Sequence, residues 1–374
     1  MLLFGAGQAD LTPPEPLPLG GYTERQGALF EPGGDPIFAR ARVVGDVVLV
    51  SLELLTVPES LVAAVRAKTG EAKLLMVATH THCAPDSQML NDRMTFQIPG
   101  IATFRRRWLN WMSDRIAEAV RQARANQQRE IVSFDVRQVS LPYARARRPL
   151  GVPDNWATEV DVHFADGQSE PLFRTFAAHA TLYGSEERKL RGDWPGALMS
   201  RHGGLAFPGA IGDVSPVPES PNNFADAIAR GLQRAPATVM ASSSIEFSSE
   251  PIRLDTPSPH PEFAKANGIT PALAQAVVTK FAPPEAHLSI IKFGSVMIIG
   301  VPGEPSGELG RTIRLMGARK GIHVAVVSHA NGWIGYILSK ADYERGGYEA
   351  QLSMNGPSTG SRIIEAARRA LSQN

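Results

Sequence analysis

The chain of 374 residues is 43% hydrophobic and carries 38 Lys and Arg against 37 Asp and Glu, for a net charge of +1. This length and composition are typical of a globular protein with one large domain or two ordinary ones. A charge so close to zero gives no electrostatic basis for binding nucleic acid or an anionic membrane surface. We therefore expect no nucleic-acid partner.

The single cysteine, Cys83, excludes an intramolecular disulfide and a Cys-rich zinc site. The first residues lack the basic and apolar regions of a signal peptide, and no run reaches the roughly 18 apolar residues of a membrane span. The sequence thus favours a cytoplasmic protein without stable membrane insertion.

The first half of the chain alternates strands with helices. Residues 2–9 predict a strand, and the Pro- and Gly-rich segment that follows predicts an irregular wrap. Residues 42–55 predict a hairpin that turns at Gly45 and Asp46, and residues 58–68 predict a helix. A second helix is predicted by apolar residues at every fourth position: Phe104, Trp108, Met112, Ile116 and Val120.

The second half continues in the same way. Residues 171–180 predict a buried strand that ends in His179, and residues 238–254 predict one long β segment. Residues 288–301 predict a hairpin that turns at Gly294, ahead of a helix to about 320 and a buried strand over 323–328. A last amphipathic helix is predicted over 361–372.

These elements predict an α/β fold with a mixed β-sheet core flanked by α-helices. No fixed-period repeat and no Gly/Ser-rich linker divides the sequence, so we expect one large domain over residues 1–374. A doubly wound dinucleotide fold requires a Gly-rich phosphate turn after a strand, and none follows any strand here.

Residues 74–85, LLMVATHTHCAP, are an apolar run that ends in His80 and His82. Alternate residues of a strand share a face, so such a run brings two imidazoles to the edge of a sheet. This arrangement is typical of metal sites, although an isolated His-x-His also occurs in strands that bind no metal.

Other polar side chains follow predicted strands in the same way. Imidazoles, a carboxylate and a phenol together form the donor set of a zinc site. Each also has a structural interpretation: His179 as a core histidine, Glu304 as a helix cap and Ser215 as a turn residue. The residues at or just after strand ends are His80, His82, His179, Asp213, Ser215, Glu304 and Tyr336.

Six motifs, in the same order, resemble the N-terminal catalytic domain of the neutral (non-lysosomal) ceramidases and their short bacterial relatives. They span nearly the whole chain, and jointly they are highly specific. The matching stretches are AGQADLTPPEPLPLGG at 6–21, ATHTHCAP at 78–85, AHAT at 178–181, GDVSP at 212–216, VPGEP at 301–305 and NGWIGYILSKADYERGGY at 331–348.

The resemblance implies one zinc ion held by four side chains, with three further residues around the scissile bond. The implied ligands are His80, His179, Glu304 and Tyr336. His82 would lie beside the metal-bound water, while Tyr348 and Arg147 would face the amide. Arg145 and Arg148 are alternatives to Arg147, because the three lie close enough to shift the alignment.

The implied reaction is hydrolysis of a linear N-acyl amide by metal-activated water. Ser215 occupies the place of a family serine for which a nucleophilic role has been proposed, but metal-activated water makes a covalent serine unnecessary, and we favour a positioning role. The substrate would be a small-molecule or lipid-like N-acyl compound.

Departures from the family pattern concern the substrate. We expect no further immunoglobulin-like domain of the kind that the long ceramidases carry. Near the pocket, Cys83, Ala84, Val217 and the Tyr183-Gly184 pair replace the usual residues. Two alternatives therefore stay open: a zinc esterase or lactonase acting on a small soluble substrate, and a non-catalytic binding relative.

Overall fold

The computed structural model describes residues 1–241 and 244–373. The strands of this part are β1 (Leu2–Asp10), β2 (Phe38–Val44), β3 (Val47–Leu52), β4 (Leu74–Ala78), β5 (Arg129–Ser140), β6 (Ala144–Ala146), β7 (Trp156–Phe164), β8 (Ser169–Phe176), β9 (Leu205–Pro208), β10 (Val214–Pro216), β11 (Ala237–Met240), β12 (Glu246–Ile252), β13 (Ala286–Phe293), β14 (Val296–Gly300), β15 (Glu304–Pro305), β16 (His323–Val327) and β17 (Tyr336–Ile337). Its α-helices are α1 (Glu59–Thr69), α2 (Arg106–Ala125), α3 (Asp193–His202), α4 (Pro221–Gln233), α5 (Phe263–Ala266), α6 (Pro271–Phe281), α7 (Gly307–Ala318), α8 (Lys340–Glu344), α9 (Tyr348–Gln351) and α10 (Thr359–Ser372).

A nine-stranded mixed sheet runs in the order β4-β3-β2-β1-β5-β7-β8-β9, and β11 adds to β5. The pairs β3–β4 and β8–β9 are parallel and the others are antiparallel. The predicted hairpin over 42–55 is confirmed: β2 and β3 turn at Gly45, whose φ of 57° is left-handed and suits glycine. The two parallel pairs lie close together, because the Ser51 hydroxyl of β3 donates to the Ala206 carbonyl of β9 at 2.8 Å.

A second, four-stranded sheet runs in the order β12-β13-β14-β16, with β14 and β16 parallel. Its inner face packs on the nine-stranded sheet. Strand alternation produces this contact: in β3, Val48 and Val50 face the helices on one side, while Val47 and Leu49 face the second sheet. The predicted mixed-sheet core is therefore two mixed sheets packed face to face.

Helices cover the outer faces of both sheets. α1 and α2 pack on the nine-stranded sheet, and the apolar stripe predicted for the second helix is buried there through Trp108, Met112, Ile116 and Val120. α7 and α10 pack on the outer face of the four-stranded sheet, and α3 and α4 enclose a further core. The predicted α/β class, a mixed β-sheet core flanked by α-helices, is confirmed.

Two predicted strands differ from the structure. The long β segment predicted over 238–254 is wrong, because β11 joins the nine-stranded sheet and β12 joins the four-stranded one; residues 242–243 of that prediction lie outside the described residues. β8 ends at Phe176, so His179 lies in the loop beyond the strand and not at its last position. Within the described ranges no helix is long and apolar enough to cross a membrane.

Two short sheets position the polar residues. β6 pairs with β10, which sets Ser215 opposite Arg145, and β15 pairs in parallel with β17, which sets Glu304 opposite Tyr336. Residues distant in sequence are thus brought into register at the end of the main sheets.

Replacing Gly7 in β1 tests the packing of α2 on the nine-stranded sheet. A Cβ at Gly7 would lie 2.2 Å from the carbonyl oxygen of Ala119, a backbone atom of α2 that cannot move alone. We expect Gly7→Ala to lower the free energy of unfolding by about 3 kcal/mol, measured by urea denaturation. The neighbouring exposed Gln8 is the control: Gln8→Ala should change stability by less than about 0.5 kcal/mol. Equal stabilities of the two variants would contradict this packing.

Candidate metal centre

His80 lies two residues beyond β4 in a left-handed conformation, with φ of 63°. Its Nδ1 is 2.8 Å from the carbonyl oxygen of Leu55, which follows the adjacent strand β3. A carbonyl only accepts hydrogen bonds, so Nδ1 carries the proton and Nε2 keeps its lone pair. The side chain is buried, and Nε2 is therefore available as a ligand atom inside the protein.

His179 has the same kind of partner. Its Nδ1 is 3.0 Å from the carbonyl oxygen of Val214, to which its own backbone N–H also donates at 3.1 Å. The indole N–H of Trp194 donates to the His179 carbonyl at 3.2 Å. These contacts fix the backbone and the ring of a fully buried histidine with Nε2 unprotonated.

Glu304 completes a group of three converging donors. The indole N–H of Trp333 donates to its Oε1 at 3.0 Å. Its Oε2 is buried and has no hydrogen-bond partner among the described residues. This oxygen lies 3.5 Å from His80 Nε2 and 3.3 Å from His179 Nε2.

These separations fit one metal ion. A tetrahedral zinc ion with bonds of about 2.0–2.1 Å sets its ligand atoms about 3.3–3.4 Å apart. Two imidazoles in fixed tautomers and an unpaired carboxylate oxygen supply the donor types that such an ion needs. A buried carboxylate oxygen without a partner would otherwise be costly, so the residues present fit a divalent cation.

Tyr336 lies next to this group, because the β15–β17 register sets it opposite Glu304. Its phenol is hydrogen-bonded with Arg147, and burial followed by the negative charge of Glu304 raises its pKa well above the usual value. Without a metal ion the phenol therefore keeps its proton, despite the nearby Arg147 guanidinium. It would bind as a phenolate only when a metal ion supplies the compensating charge.

His82 lies on the more open side of the group, with its Nε2 3.3 Å from His80 Nε2. The N-terminal wrap packs against it: the Tyr22 ring centroid is 4.7 Å away, and a Cβ at Gly21 would come within 2.4 Å of the imidazole. The buried Arg25 guanidinium donates to the His82 carbonyl. Burial, then the neighbouring His80 and His179, lowers the pKa of His82 well below its usual value.

Of the three arginines named from the sequence, Arg147 reaches the cluster. Its Nη2 is 3.4 Å from His179 Nε2 and donates to the Gly212 carbonyl at 2.5 Å. Arg148 is buried and pairs with Glu349, and Arg145 is exposed on the outer side of β6. The three differ because Arg145 belongs to β6, whereas Arg147 and Arg148 lie in the bend that follows the strand.

Ser215 and Tyr348 lie at the margin of this cluster of polar side chains. Among the described residues the Ser215 hydroxyl makes no hydrogen bond, so no base is hydrogen-bonded to it. The carbonyl of the preceding residue, Val214, accepts a hydrogen bond from His179 Nδ1. Tyr348 is 58% exposed, and its ring meets that of Tyr336 at 5.8 Å, edge to face. The structure thus brings six of the eight predicted residues into one cluster and sets Ser215 and Tyr348 beside it.

The sequence interpretation missed His329. This fully buried residue has a left-handed backbone, with φ of 52°, and its ring stacks on His80 at 4.1 Å and 18°. His80, Glu304 and His329 each have a ligand atom within 4.8 Å of those of the other two, so His329 belongs to the same buried donor group. In this conformation His329 restrains the plane of His80. Its position two residues beyond the buried strand β16 was the available signal.

Solved structures with this fold are known. The crystal structure of neutral ceramidase from Pseudomonas aeruginosa superposes with a TM-score of 0.79 at 17% sequence identity, over 100% of this chain and 74% of that one. A ceramidase complexed with C2 superposes with a TM-score of 0.79 at 16% identity, over 100% and 75% of the two chains. No family model and no curated sequence matches the chain. The resemblance drawn from the motifs is thus confirmed for the fold.

Zinc binding should depend on the His80 imidazole. Purified protein is expected to bind one zinc ion per chain, and His80→Ala to weaken binding at least about 100-fold, because one fixed ligand is lost. Chelator competition with metal analysis measures both. The control is His202→Ala, which removes a surface imidazole paired with Asp226 at 2.7 Å and should leave zinc affinity unchanged. Wild-type zinc affinity in the His80 variant would show that the ion binds elsewhere.

The pH dependence of zinc binding follows from the buried imidazoles. Burial, and then the positive charge of Arg147, lowers the pKa of His179 to about 4, and burial also lowers the pKa of His80. Protons compete with the metal only below the ligand pKa, so in a Tyr336→Phe variant, which has no phenol proton to release, zinc affinity should persist from pH 7 to about 5 and fall toward pH 4. An unperturbed imidazole site loses affinity below about pH 6.5. Titration with a chelator of known pH dependence distinguishes the two profiles.

Proposed function

We propose that this protein is a zinc-dependent hydrolase that cleaves a linear N-acyl amide bond, with residues 1–374 forming the catalytic domain. One observation carries the proposal: Glu304 Oε2 lies 3.5 Å from His80 Nε2 and 3.3 Å from His179 Nε2, and carbonyl partners fix both tautomers. The fold shared with the ceramidases supports an amide as the scissile bond. Tyr336 is the proposed fourth ligand.

A bound zinc ion supplies an activated water and polarises the substrate carbonyl. His82 would accept a proton from the attacking water at its Nε2, which lies 3.3 Å from the ligand nitrogen of His80. Burial and the neighbouring histidines lower its pKa, so the imidazole is neutral near pH 7 and a ring nitrogen has a free lone pair. His82 then returns the proton to the leaving amine, which departs as a neutral group.

Arg147 and Tyr348 stabilise the negative charge that develops on the carbonyl oxygen. The Arg147 guanidinium is held 3.4 Å from His179 Nε2, so its positive charge is fixed beside the reacting centre before substrate arrives. A preorganised donor of this kind contributes roughly 3 kcal/mol of transition-state stabilisation. Tyr348 reaches the same oxygen from the exposed margin.

Ser215 acts as a positioning residue in this proposal. Covalent catalysis by a serine requires a base within hydrogen-bond distance of the hydroxyl, and no described residue supplies one. The β6–β10 pairing holds Ser215 opposite Arg145 and beside the carbonyl that orients His179. Its hydroxyl is proposed to contact the polar part of the substrate.

The substrate enters from the side of His82 and Tyr348, because the opposite side is closed. His179 and Glu304 are 0% and 2% exposed, whereas Tyr348 is 58% exposed. The proposed substrate class is an N-acyl compound, either lipid-like or small and soluble, whose amide reaches the centre while the remainder stays toward this opening.

Hydrolysis of a panel of linear N-acyl amides by zinc-loaded protein tests the proposal. We expect turnover that a chelator abolishes and zinc restores, and a loss of about 100-fold in kcat for His82→Gln with zinc still bound. His202→Gln, at the surface pair with Asp226, is the matched control and should keep wild-type kcat.

Three results would revise the assignment. Cleavage of esters or lactones alone would favour an esterase, and tight binding of amides without turnover would favour a binding protein. Turnover that survives complete removal of the metal would contradict the zinc mechanism.

A further inference from the structure

Glu349, in α9, is a buried carboxylate shared between two consecutive arginines. Its Oε1 is 3.3 Å from Nε of Arg147, and its Oε2 is 3.0 Å from Nη1 of Arg148. The residue is only 6% exposed, so water screens these ion pairs little. It follows directly after Tyr348 in the sequence. Glu349 therefore contacts Arg147 directly and is adjacent to Tyr348 in the chain. Arg147 and Tyr348 are the two groups that are proposed to face the substrate oxygen.

Arg148 fixes the segment that carries Tyr348. Its Nη2 donates to the carbonyls of Asp342 at 2.6 Å and Gly346 at 2.8 Å. Gly346 and Gly347 have φ of 71° and 91°, and a Cβ at Gly347 would lie 3.4 Å from Nη1 of Arg148. The chain can bend around the guanidinium because both positions are glycine. The start of α9 is thus tied to the buried Arg148.

Arg147, which is hydrogen-bonded with the Tyr336 phenol, has two further partners. Gly212 accepts from its Nη2 at 2.5 Å, and Glu349 faces its Nε. The same Nη2 is 3.4 Å from His179 Nε2, where a positive charge opposes binding of a divalent cation. The carboxylate of Glu349 offsets that charge, while Glu304 remains free to face the ion.

We propose that Glu349 is a positioning residue that sets the Arg147 guanidinium and the Tyr348 phenol relative to each other. Glu349 does not touch the substrate. It acts through Arg147 by an ion pair and through Tyr348 by anchoring the first turn of α9 to Arg148. This role rests on the proposed function, because it concerns the two groups that stabilise the carbonyl oxygen in that reaction.

Two substitutions separate the effect of the negative charge of Glu349 from the effect of its side-chain length. Glu349→Gln keeps the length of the side chain and removes its charge, whereas Glu349→Asp keeps the charge and is one methylene shorter. Glu344→Gln is the matched control, since Glu344 is an exposed residue of the neighbouring helix α8 whose pair with Lys340 is 3.7 Å long.

Kinetics of the zinc-loaded variants are the first test. We expect Glu349→Gln to lower kcat at least about tenfold with KM changed less than about threefold, since the aligned donors act in the transition state. Glu349→Asp should lie between this variant and wild type. In an Arg147→Lys background, Glu349→Gln should add less than about a threefold loss, because both changes act on one unit. A folded Glu349→Gln variant with wild-type kcat would overturn the proposal.

Trypsin cleavage after Arg345 is the second test and needs no activity. Arg345 lies just before the two glycines, so loosening of α9 should expose this bond, and we expect cleavage at least about fivefold faster in Glu349→Gln than in wild type or Glu344→Gln. Unchanged cleavage would overturn the positioning role even if the wild type hydrolyses nothing. Absence of wild-type turnover combined with faster cleavage would instead contradict only the proposed function. If Glu349→Gln does not fold, Glu349→Asp is assayed in both tests.

Discussion

Two backbone carbonyl oxygens determine which nitrogen of each buried histidine is free to bind a metal ion. Leu55 and Val214 each accept the Nδ1 proton of one buried histidine, so both imidazoles present an unprotonated Nε2 to the same point. Trp333 donates to Glu304 Oε1, and the other oxygen, Oε2, faces the same point. Each partner lies on a different strand or turn, and the donor group therefore exists only when these segments are assembled.

Charge balance is the second constraint on the centre. Burial disfavours the charged form of an imidazole, and the lowered pKa values of His80, His82 and His179 keep them neutral. Arg147 adds a positive charge at the edge of the group, and Glu349 offsets it. The arrangement concentrates negative charge at Glu304, where a cation is favourable, and keeps the positive charge of Arg147 at the edge of the group.

The fold explains why distant motifs meet. β4 and β16 end near each other, and β8 pairs in parallel with β9, so the loops after these strands reach one end of the two packed sheets. The short β15–β17 pair then sets Glu304 opposite Tyr336. Sheets that are buried on both faces give rigid strand ends, and rigid ends hold side chains at fixed separations.

The sequence by itself determined most of the strands and helices, and the residues that can be recognised from a short stretch of the chain. Apolar runs located the strands before His80 and His179, four-residue spacing located α2, and ordered motifs indicated the ceramidase fold. Tertiary structure alone decided that Arg147 and not Arg145 or Arg148 reaches the cluster, that the core is two sheets, and that His329 stacks on His80. The physical reason is that periodicity reports which face of an element is buried, while the partner of that face is set by contacts between residues hundreds of positions apart.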